Sequence, residues 1–304
     1  LEYEGRICRS PMERAAFMLP IAVGCSYNAC KFCTLFKHLR YRELPMEAIE
    51  AELERVKKVG GNPSRVFLGD GNAFGVNTEK LLQILKRIRE SFPAFQGANM
   101  DATVTNIRQK SDEELKSLKE AGVDQLYLGI ETGLDDVLTF MKKDHSLQEA
   151  YEAILRLHKA GMDYAAHMMT GVAGKGRGIE NAEAIAVFFN RTHPRKIVNF
   201  SLFVSTRAPL WQDVESGLFE PADELENLLE ERRLIELLDL SDVSYDGLHD
   251  GIEVRIRGTL PQDREKMLSK LDQTIEAYRA KAPVYALTGK EQQACDPHRT
   301  QKTE

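Results

Sequence analysis

The chain has 304 residues, 42% of them hydrophobic, and a formal net charge of −6 from 41 basic and 47 acidic side chains. That apolar content excludes a mostly disordered protein, and intermixed charge argues against a polyanion-binding surface on the global scale. No apolar run approaches ~20 residues, so no membrane span is expected.

The start, Leu1-Glu-Tyr-Glu-Gly-Arg6, has neither the basic region nor the apolar stretch of a signal peptide. Five cysteines, three of them clustered, do not make a disulfide framework, and a reducing cytoplasm is the expected compartment. Phe17 to Val23 reads as a first strand and runs straight into Gly24-Cys25-Ser-Tyr-Asn28-Ala-Cys30-Lys-Phe32-Cys33. Helical spacing follows from Glu47 to Gly60, then a short buried strand, Arg65 to Leu68, ending at Gly69-Asp70-Gly71-Asn72. Thr78 to Ser91 is amphipathic, with Leu81, Leu82, Ile84, Leu85 and Ile88 on one face. Asn99 to Val104 reads as a strand, and Ser111-Asp-Glu-Glu114 as a capping box for a helix that stops near Gly122. Gln125 to Ile130 is the next strand, closing at Glu131-Thr-Gly133. Helix Ser146 to Lys159, strand Tyr164 to Met169, helix Glu180 to Asn190 and strand Ile197 to Phe203 complete the series.

Six strands alternating with helices imply a parallel sheet with right-handed crossovers. Six units are too few for a closed eightfold barrel, so the expected fold is α/β, a partial and open (β/α)6 TIM-type barrel with a C-terminal α-rich extension. A flat doubly wound sheet is the structural alternative. Residues 1–203 form the expected barrel, 204–285 an extension covering one end, and 286–304 a polar tail. Within the extension, Asp223 to Leu240 and Pro261 to Ala280 read as helices, and Ser241 to Thr259 as irregular. In either architecture ligands bind at the carboxyl ends of the strands. The cysteine loop, Gly69–Asn72, Glu131 and the Thr170–Gly178 loop all fall there.

Cys25, Cys30 and Cys33 can hold one face of an iron–sulfur cluster, whereas Cys8 and Cys295 are poorly placed to supply a fourth ligand. Competing readings are a Cys₃His zinc site with His38, a plant-type ferredoxin centre, and inert buried cysteines. Zinc explains nothing about the glycine-rich strand ends, and a ferredoxin needs a fourth cysteine and does not need a barrel of this size.

The loop resembles the radical S-adenosylmethionine (SAM) superfamily, in a branch with the form G-C-S-x-N-x-C-x-F-C. Gly24, Cys25, Ser26, Asn28, Cys30, Phe32 and Cys33 match it position by position, with a C-x4-C-x2-C spacing one residue longer than usual. Arg9-Ser10-Pro11, Phe67-Leu-Gly-Asp-Gly71 and Gly258-Thr-Leu-Pro261 are similar to the same branch, so the resemblance spans roughly residues 5 to 280. It implies a [4Fe–4S] cluster on the three cysteines, with SAM on the free iron. It also implies reductive cleavage to a 5′-deoxyadenosyl radical that abstracts hydrogen from a small organic substrate, in lyase or rearrangement-type chemistry. A one-electron reductant such as flavodoxin or ferredoxin is the implied partner. By the same resemblance Phe32 packs on the adenine, and Asp70, Gly71 and Asn72 receive the methionine ammonium. Glu131 matches G-x-E-[ST]-G and contacts SAM, and Gly171 belongs to the segment near the adenine. The branch also resembles small-molecule lyases, a queuine-cleaving enzyme among them, although nothing in the sequence fixes the substrate. RNA modification is an alternative, weakened by the absence of a basic module; an iron–sulfur electron carrier or sensor without turnover is another.

Substrate groups are expected where polar residues recur on one strand face. Asn99, Asp101 and Thr103, then His167, then Asn199 and Ser201, fit that pattern, although a histidine set as His167 is more often a satisfied core residue. Tyr245, His249 and Arg255 are expected in an irregular cover over the barrel mouth. His167, His249, Asp101 and Asn199 are the catalytic candidates. Lys142, Lys143, Lys175 and Arg177 read as solvated.

Overall fold

The computed structural model describes residues 9–288. One sheet dominates it, made of β1 (Phe17–Pro20), β2 (Arg65–Gly69), β3 (Gly97–Ala102), β4 (Val123–Glu131), β5 (Asp163–Thr170), β6 (Lys196–Ser201), β7 (Val243–His249) and β8 (Val254–Leu260). The strands lie side by side in chain order. β1 to β7 are all parallel and β8 returns antiparallel to β7. β1 and β8 do not pair, so the wall stays open, a partial TIM-type barrel. Helices α1 (Met46–Lys58), α2 (Thr78–Ser91), α3 (Asp112–Ala121), α4 (Leu147–Lys159), α5 (Gly178–Thr192) and α6 (Glu224–Leu237) are the crossovers, and α7 (Arg264–Arg279) follows β8.

The helix boundaries follow from local chemistry. Ser111 and Glu114 form the reciprocal capping box that opens α3, and Gly122 ends it at φ +119°. Ser146 and Glu149 do the same for α4. Alternation then divides each strand between two environments. Leu19, Leu68, Met100, Leu126, Leu128, Ala166, Met168 and Ile197 face the helices in one continuous core. Burying such a side chain stabilises by about 1.5–3 kcal/mol, which makes the wall a stiff frame for what lies inside it. Met18, Phe67, Tyr127, Ala165 and Val198 form a separate cluster on the inner face. The stem of the barrel is plugged by Glu13, whose Oε1 accepts from Asn99 Nδ2 (2.8 Å), Tyr127 OH (2.6 Å) and Lys196 Nζ (3.3 Å).

Three expectations change here. Residues 241–259 are not an irregular cover but the β7–β8 hairpin, which adds a seventh parallel strand and an antiparallel eighth. Asn199, Ser201, Tyr245 and His249 do not line the interior; they point outward, to carboxylates of α6. Thr103 leaves the strand and caps the short helix Val104–Arg108. Cys8, Cys295 and most of the expected polar tail lie outside the described residues. Among the described residues no helix is long and apolar enough to cross a membrane.

Candidate active site

The cysteine loop springs from a two-residue ladder in which Ala22 pairs with Glu43 and Val23 with Arg42. Beyond that neck the loop is held on two sides. On one side it meets the turn after β2, backbone to backbone: a Cβ on Gly71 would lie 1.9 Å from the carbonyl oxygen of Gly24. Only glycine at 71, with φ +76°, permits that approach. Ser26 N–H donates to Asn72 Oδ1 at 2.8 Å, and Asn72 Nδ2 donates to Ser26 Oγ and to Asn106 Oδ1, each at 2.8 Å. On the other side Tyr27 OH donates to the Lys142 carbonyl at 2.7 Å and Lys31 N–H to the Met141 carbonyl at 3.0 Å. Asn28 Nδ2 closes the loop on itself at the Phe36 carbonyl, 2.8 Å away. Gly24, Ser26 and Asn28 thus shape the loop that presents the thiols.

Cys25, Cys30 and Cys33 are all unpaired and partly exposed at the carboxyl end of the barrel. The amide of Asn28 donates to Cys25 Sγ at 3.4 Å. Burial pushes the Cys30 thiol up to about 11 and raises that of Cys33. Bound iron, not the bare protein, would therefore have to draw off those protons. Among the described residues no three Cys, His, Asp or Glu side chains converge to grip a single metal ion. Three free thiolate donors on one short, braced loop suit a multi-iron cluster, and the Cys₃His zinc arrangement with His38 is not formed.

Asp70 is buried, its Oδ1 accepting from the Gly71 amide at 3.0 Å. Asn72 is committed to the loop itself, as described. Glu131 lies at a register shift between β4 and β5, with φ +68°. Its Oε1 takes a 3.1 Å ion pair from Lys143, both side chains being nearly buried. Gly129 makes room for this: a Cβ there would lie 2.2 Å from Glu131 Oε1. Lys143 is not a surface residue, contrary to expectation. Burial alone would lower its ammonium, but Glu131 and the neighbouring Cys30 and Asp144 raise it well above the lysine range. Its Nζ sits 5.9 Å from the ring centroid of Phe32, so the aromatic of the cysteine motif faces the buried ion pair. Lys175 is exposed and Arg177 half-exposed, in ion pairs with Glu220 and with Asp136 and Glu180.

Below this rim the inner face carries Asp101 and His167. Burial, with Asp70 and Glu13 nearby, pushes the Asp101 carboxyl up to about 8. Burial lowers the His167 imidazole, and its Nε2 is enclosed without a partner among the described residues. The ring centroids of Phe67 and Tyr127 are 6.0 Å apart, those of Tyr127 and His167 5.4 Å, and those of His167 and Phe200 6.0 Å, forming an aromatic wall.

Of the remaining candidates, His249 and Asn199 lie on the outer face of the sheet, and Gly171 follows β5 at its carboxyl end. His249 is fully buried between Glu224 (3.0 Å) and Glu231 (2.8 Å) on the outer face of the sheet. Asn199 Nδ2 donates to Glu231, and the Gly171 amide to Glu230 Oε2 at 2.8 Å, while the Gly171 carbonyl accepts from Gly174. These groups build the wall behind the site. The α6 glutamates were not legible as its partners because DELENLLEERRLIELLDL reads only as a long acidic-to-apolar helix until the hairpin supplies His249 and Tyr245.

A family model of the Radical SAM superfamily matches residues 19–188, more than half of the chain. The chain belongs to the radical SAM superfamily. Its members use a [4Fe–4S] cluster and SAM, so these are the cofactors of the fold described above. Among curated relatives, the heme chaperone HemW of Bacillus subtilis (strain 168) is 24% identical over 231 residues, covering 73% of this chain and 58% of that protein. Biotin synthase of Aquifex aeolicus (strain VF5) is 24% identical over 171 residues, covering 55% and 48%. The chain thus spans about half the length of these relatives. Among solved structures, methylornithine synthase aligns with a TM-score of 0.52 at 14% identity, over 85% of this chain and 81% of that one. The archaeal Elp3 of Methanocaldococcus infernus gives 0.55 at 16%, over 85% and 63%. These likenesses establish the radical SAM fold alone.

Proposed function

We propose that this radical SAM protein is an enzyme acting on a small organic molecule held inside the barrel, beneath the cysteine loop. The cofactor pair, when bound, supplies one electron to the sulfonium of SAM and so a 5′-deoxyadenosyl radical that abstracts hydrogen. Cys25, Cys30 and Cys33 would hold the cluster. Asp70, Phe32, and Glu131 with Lys143 form the rim against which SAM would be oriented. Phe67, Tyr127 and Phe200 offer the dry wall that a radical needs if solvent hydrogen donors are to be kept away.

The observation that carries this reading is the pair of uncommitted polar groups in that wall. Asp101, half-buried, has no hydrogen-bond or ion-pair partner among the described residues, and His167 Nε2 is enclosed without one. A packed structural core satisfies its polar groups; a binding site leaves them for a ligand. An electron carrier or sensor has no use for such an interior. RNA modification remains the second reading, because a methylthiotransferase relative described as acting on tRNA matches 43% of the chain at 29% identity.

The test is anaerobic reconstitution with iron and sulfide, reduction with dithionite, and incubation with SAM and fractionated metabolite extract. Formation of 5′-deoxyadenosine that rises with a low-molecular-weight fraction is the expected result. A rise only with the RNA fraction would transfer the function to the second reading. No 5′-deoxyadenosine with any fraction, from protein of full iron content, would leave a carrier.

A further inference from the structure

The inner face holds uncommitted polar groups and, among the described residues, no uncommitted cation. Asp101 stands on β3 opposite Tyr127 of β4, at the level of Ala165 of β5. Two residues below it on the same face, Asn99 is 7% exposed; its Nδ2 is spent on Glu13 and its Oδ1 has no partner. His167, one step above Ala165, keeps an enclosed Nε2, and burial holds its ring in the neutral form. Among the described residues, the cations nearby are already committed. Lys143 pairs with Glu131, Lys196 with Glu13 and Tyr127 OH, and Arg255 and Arg257 with Asp246. The Tyr127 hydroxyl donates to Glu13. Among the described residues, then, no protein donor reaches Asp101.

An anionic ligand would meet Asp101 with, among the described residues, no free cation to receive it. A purely apolar one would seal an unpaired carboxyl in an aromatic pocket. A ligand carrying positive charge and several N–H donors resolves both problems, and the faces of Phe67, Tyr127 and Phe200 favour the same charge. We propose that the substrate of this site is a small organic cation, a protonated amine or a guanidine-type group on an apolar or aromatic body. Its N–H groups are received by the Asp101 carboxylate, with Asn99 Oδ1, and His167 Nε2 in the Nδ1–H tautomer, as the neighbouring acceptors. This rests on the reading of the barrel interior as the substrate site. The elevated position of Asp101 accords with it, since a bound cation restores the ionised form that burial, Asp70 and Glu13 disfavour.

The probes are benzylamine, benzamidine, benzyl alcohol and benzoate, alike in body and different in charge and donors. Each is titrated calorimetrically into the anaerobically reconstituted protein with SAM present. The cations should bind at least about tenfold more tightly than the alcohol, with benzoate weakest, as a charged hydrogen bond requires. Asp101→Asn should reduce that preference to within about threefold, and Asp101→Glu, which keeps the charge, should retain part of it. Alcohol or benzoate binding as tightly as the cations overturns the proposal, as does failure of both cations to bind, or an undiminished preference in Asp101→Asn. The native series needs no variant, so a misfolded substitution leaves the inference testable. SAM affinity, read in the same protein, reports on the proposed function separately. Loss of SAM binding with cation preference intact counts against that function; SAM binding without cation preference counts against this inference.

Discussion

Ser26 and Asn72 hold each other reciprocally: the Ser26 amide donates to Asn72 Oδ1 at 2.8 Å while Asn72 Nδ2 donates back to Ser26 Oγ at 2.8 Å. The glycine-acid turn after β2 and the cysteine loop are thereby one unit, and Asn72 braces that unit. Asn72→Ala strands the Ser26 amide, while Asn106 Oδ1 keeps the Thr103 amide as its donor, so the cost is about 1–3 kcal/mol. Iron content and iron-dependent absorbance should fall, with SAM affinity following only as the cluster is lost. Full iron content with a weakened SAM dissociation constant would show instead that Asn72 touches SAM directly.

Glu131 and Lys143 form the second joint of the rim. Glu131→Gln leaves a buried ammonium without its counter-charge, a change worth about 3–5 kcal/mol where the pair is as enclosed as this one. Removing both charges, in Glu131→Gln/Lys143→Met, should destabilise less than the sum of the single changes, read from denaturant midpoints. Gly129→Ala should resemble the single variant, since its Cβ would occupy the position of Glu131 Oε1. If Glu131 also contacts SAM, Glu131→Ala weakens SAM binding by about ten- to a hundredfold.

Much of the frame was legible in the sequence because the βα units announce themselves through two periodicities and through caps such as Ser111–Glu114 and Ser146–Glu149. The three cysteines and Glu131 were legible because packing gives no reason for them at strand ends. The β7–β8 hairpin was not. In Val-Ser-Tyr-Asp-Gly-Leu-His249 a glycine, a buried aspartate and a buried histidine obscure the alternation, although Val254, Ile256 and Leu260 against Arg255, Arg257 and Thr259 do carry it. Asn199 and Ser201 were assigned to the wrong face because polarity alone cannot tell an interior from an outer wall that carries its own buried carboxylates. Lys143 read as solvent-exposed because its partner stands 12 residues earlier, across a bulge that no local pattern reveals.

The ligand assignment at the cysteine loop has a direct check. Replacing Cys25, Cys30 or Cys33 singly by alanine should abolish the iron-dependent absorbance, while Cys8→Ala and Cys295→Ala should leave it at the native level. Loss of the cluster in the Cys8 variant would point to a fourth protein ligand and to a coordinatively closed centre, which could not bind SAM.

The wall behind the site should make stability depend on pH through His249. Burial alone would lower its imidazolium, but Glu231 and Glu224 on either side outweigh that and raise it from 6.5 to about 10. Ser201 and Asn227 also donate to Glu224, and Tyr245 OH, held far above its usual range, donates to Glu231. Because the folded value exceeds the unfolded one, the contribution is complete below about pH 6.5 and is lost as pH climbs through about 10. Glu230, raised from 4.5 to about 8 chiefly by burial, adds a slope of the same sign at lower pH. Unfolding free energies of the native protein and His249→Gln, measured from pH 6 to 10, should therefore converge as pH rises. Their gap is on the order of a few kcal/mol at the acidic end. A gap that stays constant across the range would mean that His249 is neutral in the folded wall, with the two glutamates sharing a proton in its place.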